Sequence, residues 1–221
     1  RLALAEMPPQ TIRAELVSAC RPSMPVTFGH AGLRFTVATD REGRAVAEIP
    51  AFAEEAAVEA RFADGTELRG EVQVPGLERV ARAALVWQGE ADLKLHAFEF
   101  GAAEEAPGHV WRGAARSYRE ARRHGGGYLV LLGDPALDGF RSEVYTMLVG
   151  RSVPQGIVRL ELEVAARGDA CAAPIDFAAI LTDAVRQGEQ RDVRLAIDDC
   201  AGEAVSRMYR GGLRDLAIAA R

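Results

Sequence analysis

Between Trp87 and Phe100 the chain reads WQGEADLKLHAFEF, which sets Glu90, Asp92, Lys94, His96 and Glu99 close together. Carboxylates and an imidazole at this density could ligate a cation or hydrogen-bond the hydroxyls of a sugar. Such a ligand site would draw on Glu90, Asp92, His96 and Glu99. The alternation of the stretch points to a plainer role. Leu93, Leu95 and Ala97 share one face of a strand, and Lys94, His96, Phe98 and Phe100 share the other. Glu99 falls opposite His96, which weakens a shared metal site. The stretch therefore reads first as a structural hairpin in which Trp87 ends one strand, QGEAD turns and 93–100 returns. Trp87, Leu93 and Leu95 should be buried, and His96 should face outward or a sheet rim. His96→Gln should then cost under about 1 kcal/mol, as a surface change does.

A second group of chemistry-bearing residues lies in GAARSYREARRH, residues 113–124, and just before it. On a helix Arg112, Arg116, Arg119 and Arg123 would line one face, suited to a phospholipid surface, an acidic glycan or an acidic protein patch. The plainer reading is a solvated face that pairs with Glu104, Glu105 and Glu120. His30 and His109 each follow a glycine, which suggests turns, and His124 closes the basic excursion. No H-E-x-x-H, G-x-S-x-G or P-loop is present, so no catalytic residue, metal or cofactor is assigned.

The elements that must position these residues follow period two. TIRAELVSA, LRFTVAT, AVAEIP, AVEARF and ELRGEVQV alternate apolar and polar residues. DREGR and ADGT turn the chain between them, so LRFTVAT–AVAEIP and AVEARF–ELRGEVQV read as hairpins. Residues 11–75 thus hold about six short strands. Further strands are expected at 79–87, 92–100, 127–132, 141–148, 157–165, 191–198 and 212–219. PIDFAAILTDAV fits a helical stripe as well as a strand, and pairing with RDVRLAID favours the strand. Residues 113–124 form the one helix or long excursion. The fold class is all-β, with two small antiparallel β-sandwiches at 11–76 and 77–221.

Composition narrows the function. The net charge of −5 argues against general nucleic-acid binding. Lys94 is the only lysine and Asn is absent, so the arginine excess reads as a genomic bias. No apolar run is long enough to span a membrane. The chain begins at Arg1 with neither Met nor a signal-like apolar region, as a processed chain or a fragment does. Of Cys20, Cys171 and Cys200, the last two flank the 175–198 strand pair. They are expected to form a disulfide in an oxidising compartment, closing a loop worth about 3–4 kcal/mol in the chain-entropy model. The alternative is three buried thiols in a reducing one.

Two local resemblances add to this reading. AGLRFTVATDREGRAVAEIP, residues 31–50, resembles the core of transthyretin-like sandwiches. The series Trp87, Asp92-Leu93-Lys94-Leu95-His96-Ala97, Gly108-His109-Val110-Trp111, Leu132-Gly133-Asp134, Ser142-Glu143-Val144-Tyr145 and Pro154-Gln155-Gly156 resembles a bacterial extracytoplasmic β-sandwich domain of unknown function. Lys94 and Ala97 stand where that pattern has Asp and Val, and Lys94 puts a cation held by paired aspartates in doubt. The larger part, 77–221, reads as jelly-roll-like. Most of the chain is similar to uncharacterised envelope proteins of Gram-negative bacteria that often carry the label translocase. The resemblance implies a periplasmic or extracytoplasmic location and an upstream cysteine that pairs with Cys20. The function expected is non-catalytic binding or scaffolding in the cell envelope, on an envelope protein or an anionic glycan or lipid surface. A carbohydrate- or cation-binding module is the alternative, and a hydrolase comes third.

Overall fold

The computed structural model describes residues 1–150, 153–166, 174–197 and 205–219. The protein is all-β, with one short α-helix among the described residues, and its strands gather in two compact units. One comprises Arg1–Leu77 with Leu132–Ser142, the other Glu78–Leu131 with Glu143–Arg221. No helix among the described residues is long and apolar enough to cross a membrane.

In the first unit β1 (Leu2–Met7), β2 (Thr11–Val17) and β5 (Arg44–Pro50) form a three-stranded antiparallel sheet. β3 (Pro25–His30), β4 (Leu33–Ala38), β6 (Glu55–Phe62) and β7 (Glu67–Gln73) form a second sheet in the order β4-β3-β6-β7. The alternation becomes burial directly. In β2, Ile12, Ala14 and Leu16 are buried while Arg13, Glu15 and Val17 are exposed. Each fully buried Ile, Leu or Phe contributes about 1.5–3 kcal/mol relative to exposure. The β6–β7 hairpin forms as expected, with Phe62 N donating to Thr66 O across its turn.

The expected β4–β5 hairpin does not form. β4 pairs with β3, and β5 pairs with β2 in the other sheet. DREGR is thus an arch between two sheets. Alternation fixes which face of a strand is buried, and it says nothing of which neighbour that strand takes. Pro25–His30, whose apolar pattern is broken by Gly29, is a strand that local alternation does not mark, and Leu2–Met7 lies outside the expected 11–76 domain. Residues 132–142 join this unit as well. Asp134 N donates to Thr36 O, Phe140 N to Thr36 Oγ1 and Ser142 Oγ to Arg34 O. The Arg34 guanidinium sits 4.4 Å from the centre of the Phe140 ring.

In the second unit β11 (Gly127–Leu132), β12 (Phe140–Leu148), β8 (Val80–Gln88), β14 (Ile175–Thr182) and β15 (Glu189–Leu195) form one sheet in that order. The other runs β10 (His109–Val110), β9 (Asp92–Glu99), β13 (Gly156–Ala166) and β16 (Val205–Arg210), and β17 (Leu216–Ile218) also pairs with β13. Leu85, Trp87, Leu93, Leu95, Tyr145, Met147, Leu160, Leu162, Phe177 and Leu216 are among the residues of the shared core. PIDFAAILTDAV is a strand paired with β15, as its partner sequence suggested.

Trp87 to Phe100 is not a hairpin within one sheet. β8 belongs to the first of these sheets and β9 to the second, so QGEA carries the chain across the sandwich. Trp87 Nε1 donates to Ala91 O at 2.9 Å and closes this arch. Trp87, Leu93 and Leu95 are buried, as expected.

The helix α1 (Tyr118–His124) is shorter than the 113–124 excursion. Ser117 and Glu120 form a capping box, Ser117 Oγ accepting from Glu120 N and the Glu120 carboxylate from Ser117 N. A cap at Ser117 excludes Arg112 and Arg116 from the helix, so the expected face of four arginines does not exist.

Candidate functional site

β9, β10, β13 and β16 turn Lys94, His96, Phe98, His109, Arg159, Glu161, Glu163 and Met208 to the face away from the apolar core. Cross-strand register arranges them in rows. In one row His109, Phe98 and Arg159 stand side by side. The His109 and Phe98 rings are 4.2 Å apart and nearly parallel, and the Arg159 guanidinium is 4.0 Å from the centre of the Phe98 ring. In the next, Trp111 stacks on His96 at 4.9 Å and Glu161 lies across from His96. Lys94 and Glu163 form the third, with an ion pair at 2.8 Å.

His96 and His109 lie at the centre. His96 is only 3 % exposed and His109 only 4 %. The expectation that His96 faces outward or a sheet rim holds for its direction and is corrected for its exposure. Its ring is on the outer side of the sheet, but Trp111 and His109 cover it. The hydrogen bonds assign both tautomers. Glu105 N donates to His109 Nδ1 at 3.1 Å, so that nitrogen is an acceptor. His109 Nε2–H then donates to His96 Nδ1 at 2.8 Å. His96 Nε2–H donates to Glu163 Oε2 at 3.0 Å. The Glu163 carboxylate also accepts from Lys94 Nζ and from Ser206 Oγ.

Burial disfavours the imidazolium form and holds both histidines below the ordinary imidazole range. Burial raises the Glu163 carboxyl, but donation from Lys94, Ser206 and His96 outweighs it and brings the group down to about 2. Stability contributed by the neutral imidazoles is complete above pH 6.5, the unfolded value, and lost as pH falls through it. Stability contributed by ionised Glu163 is complete above 4.5 and lost toward 2. We expect urea midpoints to be flat from pH 8 to 7 and to fall in these two successive windows. A midpoint that rises between pH 7 and 5.5 would contradict the neutral pair.

Two further carboxylates anchor the surroundings from the core side. Glu99 accepts from Arg116 Nη2 at 2.5 Å, Gly127 N at 2.7 Å and Tyr145 Oη at 2.8 Å. Gly127 must be glycine here, since a Cβ would lie 2.4 Å from the Tyr145 ring and hydroxyl. Glu143, fully buried on β12, accepts from Leu95 N at 2.7 Å and from Arg112 Nε at 2.6 Å. Arg112 also holds both oxygens of Asp92 and donates to Leu93 O. This clamp fastens β9 beyond the two residues where β10 pairs with it. Burial pushes the Glu143 carboxyl up against the pull of Leu95 N–H and Arg112.

The residues singled out from sequence are thus distributed among separate functions. Glu90 is exposed in the arch. Asp92 joins Arg112, His96 joins His109 and Glu163, and Glu99 lies on the opposite face with Arg116. Arg119 and Arg123 are exposed on α1. The local sequence marks His109 only as a turn residue and, with Glu143, as part of a resemblance, and it does not mark Glu163 as a site residue. Glu163 stands on the polar side of the alternating run IVRLELEV, residues 157–164, and nothing local marks its register with Lys94. No group of three His, Cys, Asp or Glu among the described residues is arranged to hold a metal ion. Cys20 is a free, exposed thiol, and no disulfide occurs among the described residues. Cys171 and Cys200 lie outside them.

His30 belongs to a local structural lock in the first unit. Its Nδ1–H donates to Ala57 O and its Nε2 accepts from Phe52 N. Beside it a pocket of about 370 Å³ is lined by Gly29, Arg34, Glu59, Arg69 and Glu71 among others. No family model matches the chain, and neither does a curated protein or a solved structure.

Proposed function

We propose that this chain is a non-catalytic binding or scaffolding protein of the bacterial cell envelope, acting through the outer face of the β10-β9-β13-β16 sheet. The observation that supports it is the saturation of the Glu163–His96–His109 chain. A general base must offer a lone pair to the substrate proton it removes. Here both acceptor imidazole nitrogens already receive hydrogen atoms, and the Glu163 carboxylate, held by three donors and brought down to about 2, is a weak base. The envelope setting rests on the sequence resemblance. The layer above the chain offers exposed Arg159 and Met208 and partly exposed Trp111 and Lys94, a mixture of aromatic, cationic and apolar groups suited to a protein partner. A carbohydrate is the second reading, because Trp111 is stacked and partly exposed and could bear on a sugar ring.

Three binding arms test this: detergent-solubilised envelope proteins, purified peptidoglycan sacculi and anionic phospholipid vesicles. The expected result is saturable retention by the protein arm, weakened at least about tenfold, or 1.4 kcal/mol, in the Trp111→Ala, Arg159→Ala double variant. Retention by the sacculi alone would replace the protein reading with the carbohydrate one. Turnover of a chromogenic ester or glycoside that disappears in His96→Gln would overturn the non-catalytic reading.

A further inference from the structure

The histidine pair has a property that does not depend on what the sheet binds. Its three hydrogen bonds run in one direction, from Glu105 N–H to His109 Nδ1, from His109 Nε2–H to His96 Nδ1, and from His96 Nε2–H to Glu163. Two neutral imidazoles have one acceptor nitrogen each, and in both rings that nitrogen already faces a donor. An added proton at either Nδ1 would point at another N–H. The charged pair must therefore give up one bond of the chain.

The weaker fastening is on the His109 side. β10 comprises two residues, paired with Phe98 and Ala97. The segment from Phe100 to Gly108 leading into it is exposed or partly exposed throughout. Its backbone ties to the sheet lie at its two ends, where Phe100 N donates to Ile157 O, Ala102 N to Glu99 O and Glu99 N to Gly108 O; between them Glu105 N is held by His109 itself. The His96 side is bound more firmly, by Glu163, which Lys94 and Ser206 hold in place.

We propose that His96 and His109 form a proton-operated latch, in which uptake of one proton by the pair releases His109 and the 100–108 segment from the outer face of the sheet. The charged groups around the pair act differently on its two ends: Glu163 holds a charged His96 in place, so the bond given up is the one on the His109 side. From β9 Lys94 faces the pair, and from β13 Arg159, Glu161 and Glu163 do; Arg210 of β16 lies beyond Glu161. Glu104 and Glu105 come from the segment itself. Lys94 and Arg159 repel an imidazolium kept in place, and Glu104 and Glu105 offer a counter-charge that moves with it. The released state uncovers the Phe98 ring and one side of His96, and so alters the face proposed above for binding.

The test uses the whole chain labelled with nitrogen-15. Ring-nitrogen spectra at pH 8 should show Nδ1 of both residues unprotonated and Nε2 protonated. As pH falls below the ordinary imidazole range, a reversible transition should appear at both rings, with the far-ultraviolet circular dichroism unchanged. Across it, exchange of the Glu105 amide should accelerate about tenfold beyond the intrinsic effect of pH, the signature of local opening. His109→Phe, which keeps a ring against Phe98, should abolish the transition. If that variant does not fold, the wild-type titration still decides. Imidazoles that stay neutral until the chain unfolds globally, or that titrate with Glu105 exchange unaltered, would overturn the latch.

Discussion

Glu143→Ala is expected to lower the unfolding free energy by about 3–5 kcal/mol, the range for breaking a buried ion pair from one side. Glu143 is fully buried, and its two oxygens divide their work: one takes Arg112 Nε, the other Leu95 N. Alanine would leave the Leu95 amide without its acceptor. It would also leave the partly buried Arg112 guanidinium with Asp92 as its one carboxylate. Glu143→Gln isolates the charge from the hydrogen bonds. Burial already pushes the Glu143 carboxyl up, so ionisation in place is costly, and a neutral amide avoids that cost. Its side-chain oxygen can still accept from Leu95 N. The glutamine variant should lose about 1.5–3 kcal/mol, roughly the net worth of one hydrogen bond to a charged partner. Urea unfolding of both variants at pH 7 makes the comparison. Equal, small losses would show that this clamp does not secure the edge of β9.

Leu95→Ala should cost about 2–5 kcal/mol, as deletion of a buried aliphatic side chain does. Leu95 is completely buried in the core between the two sheets, opposite Leu162 on β13. The neighbouring His96→Gln, expected from sequence to be nearly silent, should instead cost about 1–3 kcal/mol, because it breaks into a buried hydrogen-bond chain. The two residues point to opposite faces of one strand, so their losses report different environments: apolar packing for Leu95 and polar satisfaction for His96. Thermal or denaturant unfolding separates them further by pH. The Leu95→Ala loss should be nearly constant between pH 8 and 5.5. The His96→Gln loss should shrink as pH falls, since the wild-type chain then gives up the stability of its neutral imidazoles. A His96→Gln loss that is independent of pH would place the cost in packing.

The sequence by itself determined the all-β class, most strand positions and the buried face of the strands it marked. The reason is local: in an extended chain successive side chains alternate sides, so a residue's neighbours in sequence reveal its face. Val158, Leu160, Leu162 and Val164 were legible as core on that ground, and all four are buried. Glu99 was legible as opposite to His96 for the same reason. The tertiary structure decided which strands meet. DREGR and QGEA have the composition of hairpin turns, yet both carry the chain from one sheet to the other, because pairing depends on contacts far apart in sequence. The site followed from those pairings. Only the register that sets Glu163 beside Lys94 and Glu161 beside His96, and the short strand that sets His109 beside Phe98, joins three unremarkable residues into one hydrogen-bonded chain. The arginines show the same division. Ser117 caps the helix locally, and this signal was present in the sequence, but the partners of Arg112 and Arg116 lie on strands whose approach no local pattern encodes. A buried charge is placed by the groups that compensate its desolvation, and in this fold those groups come from other strands.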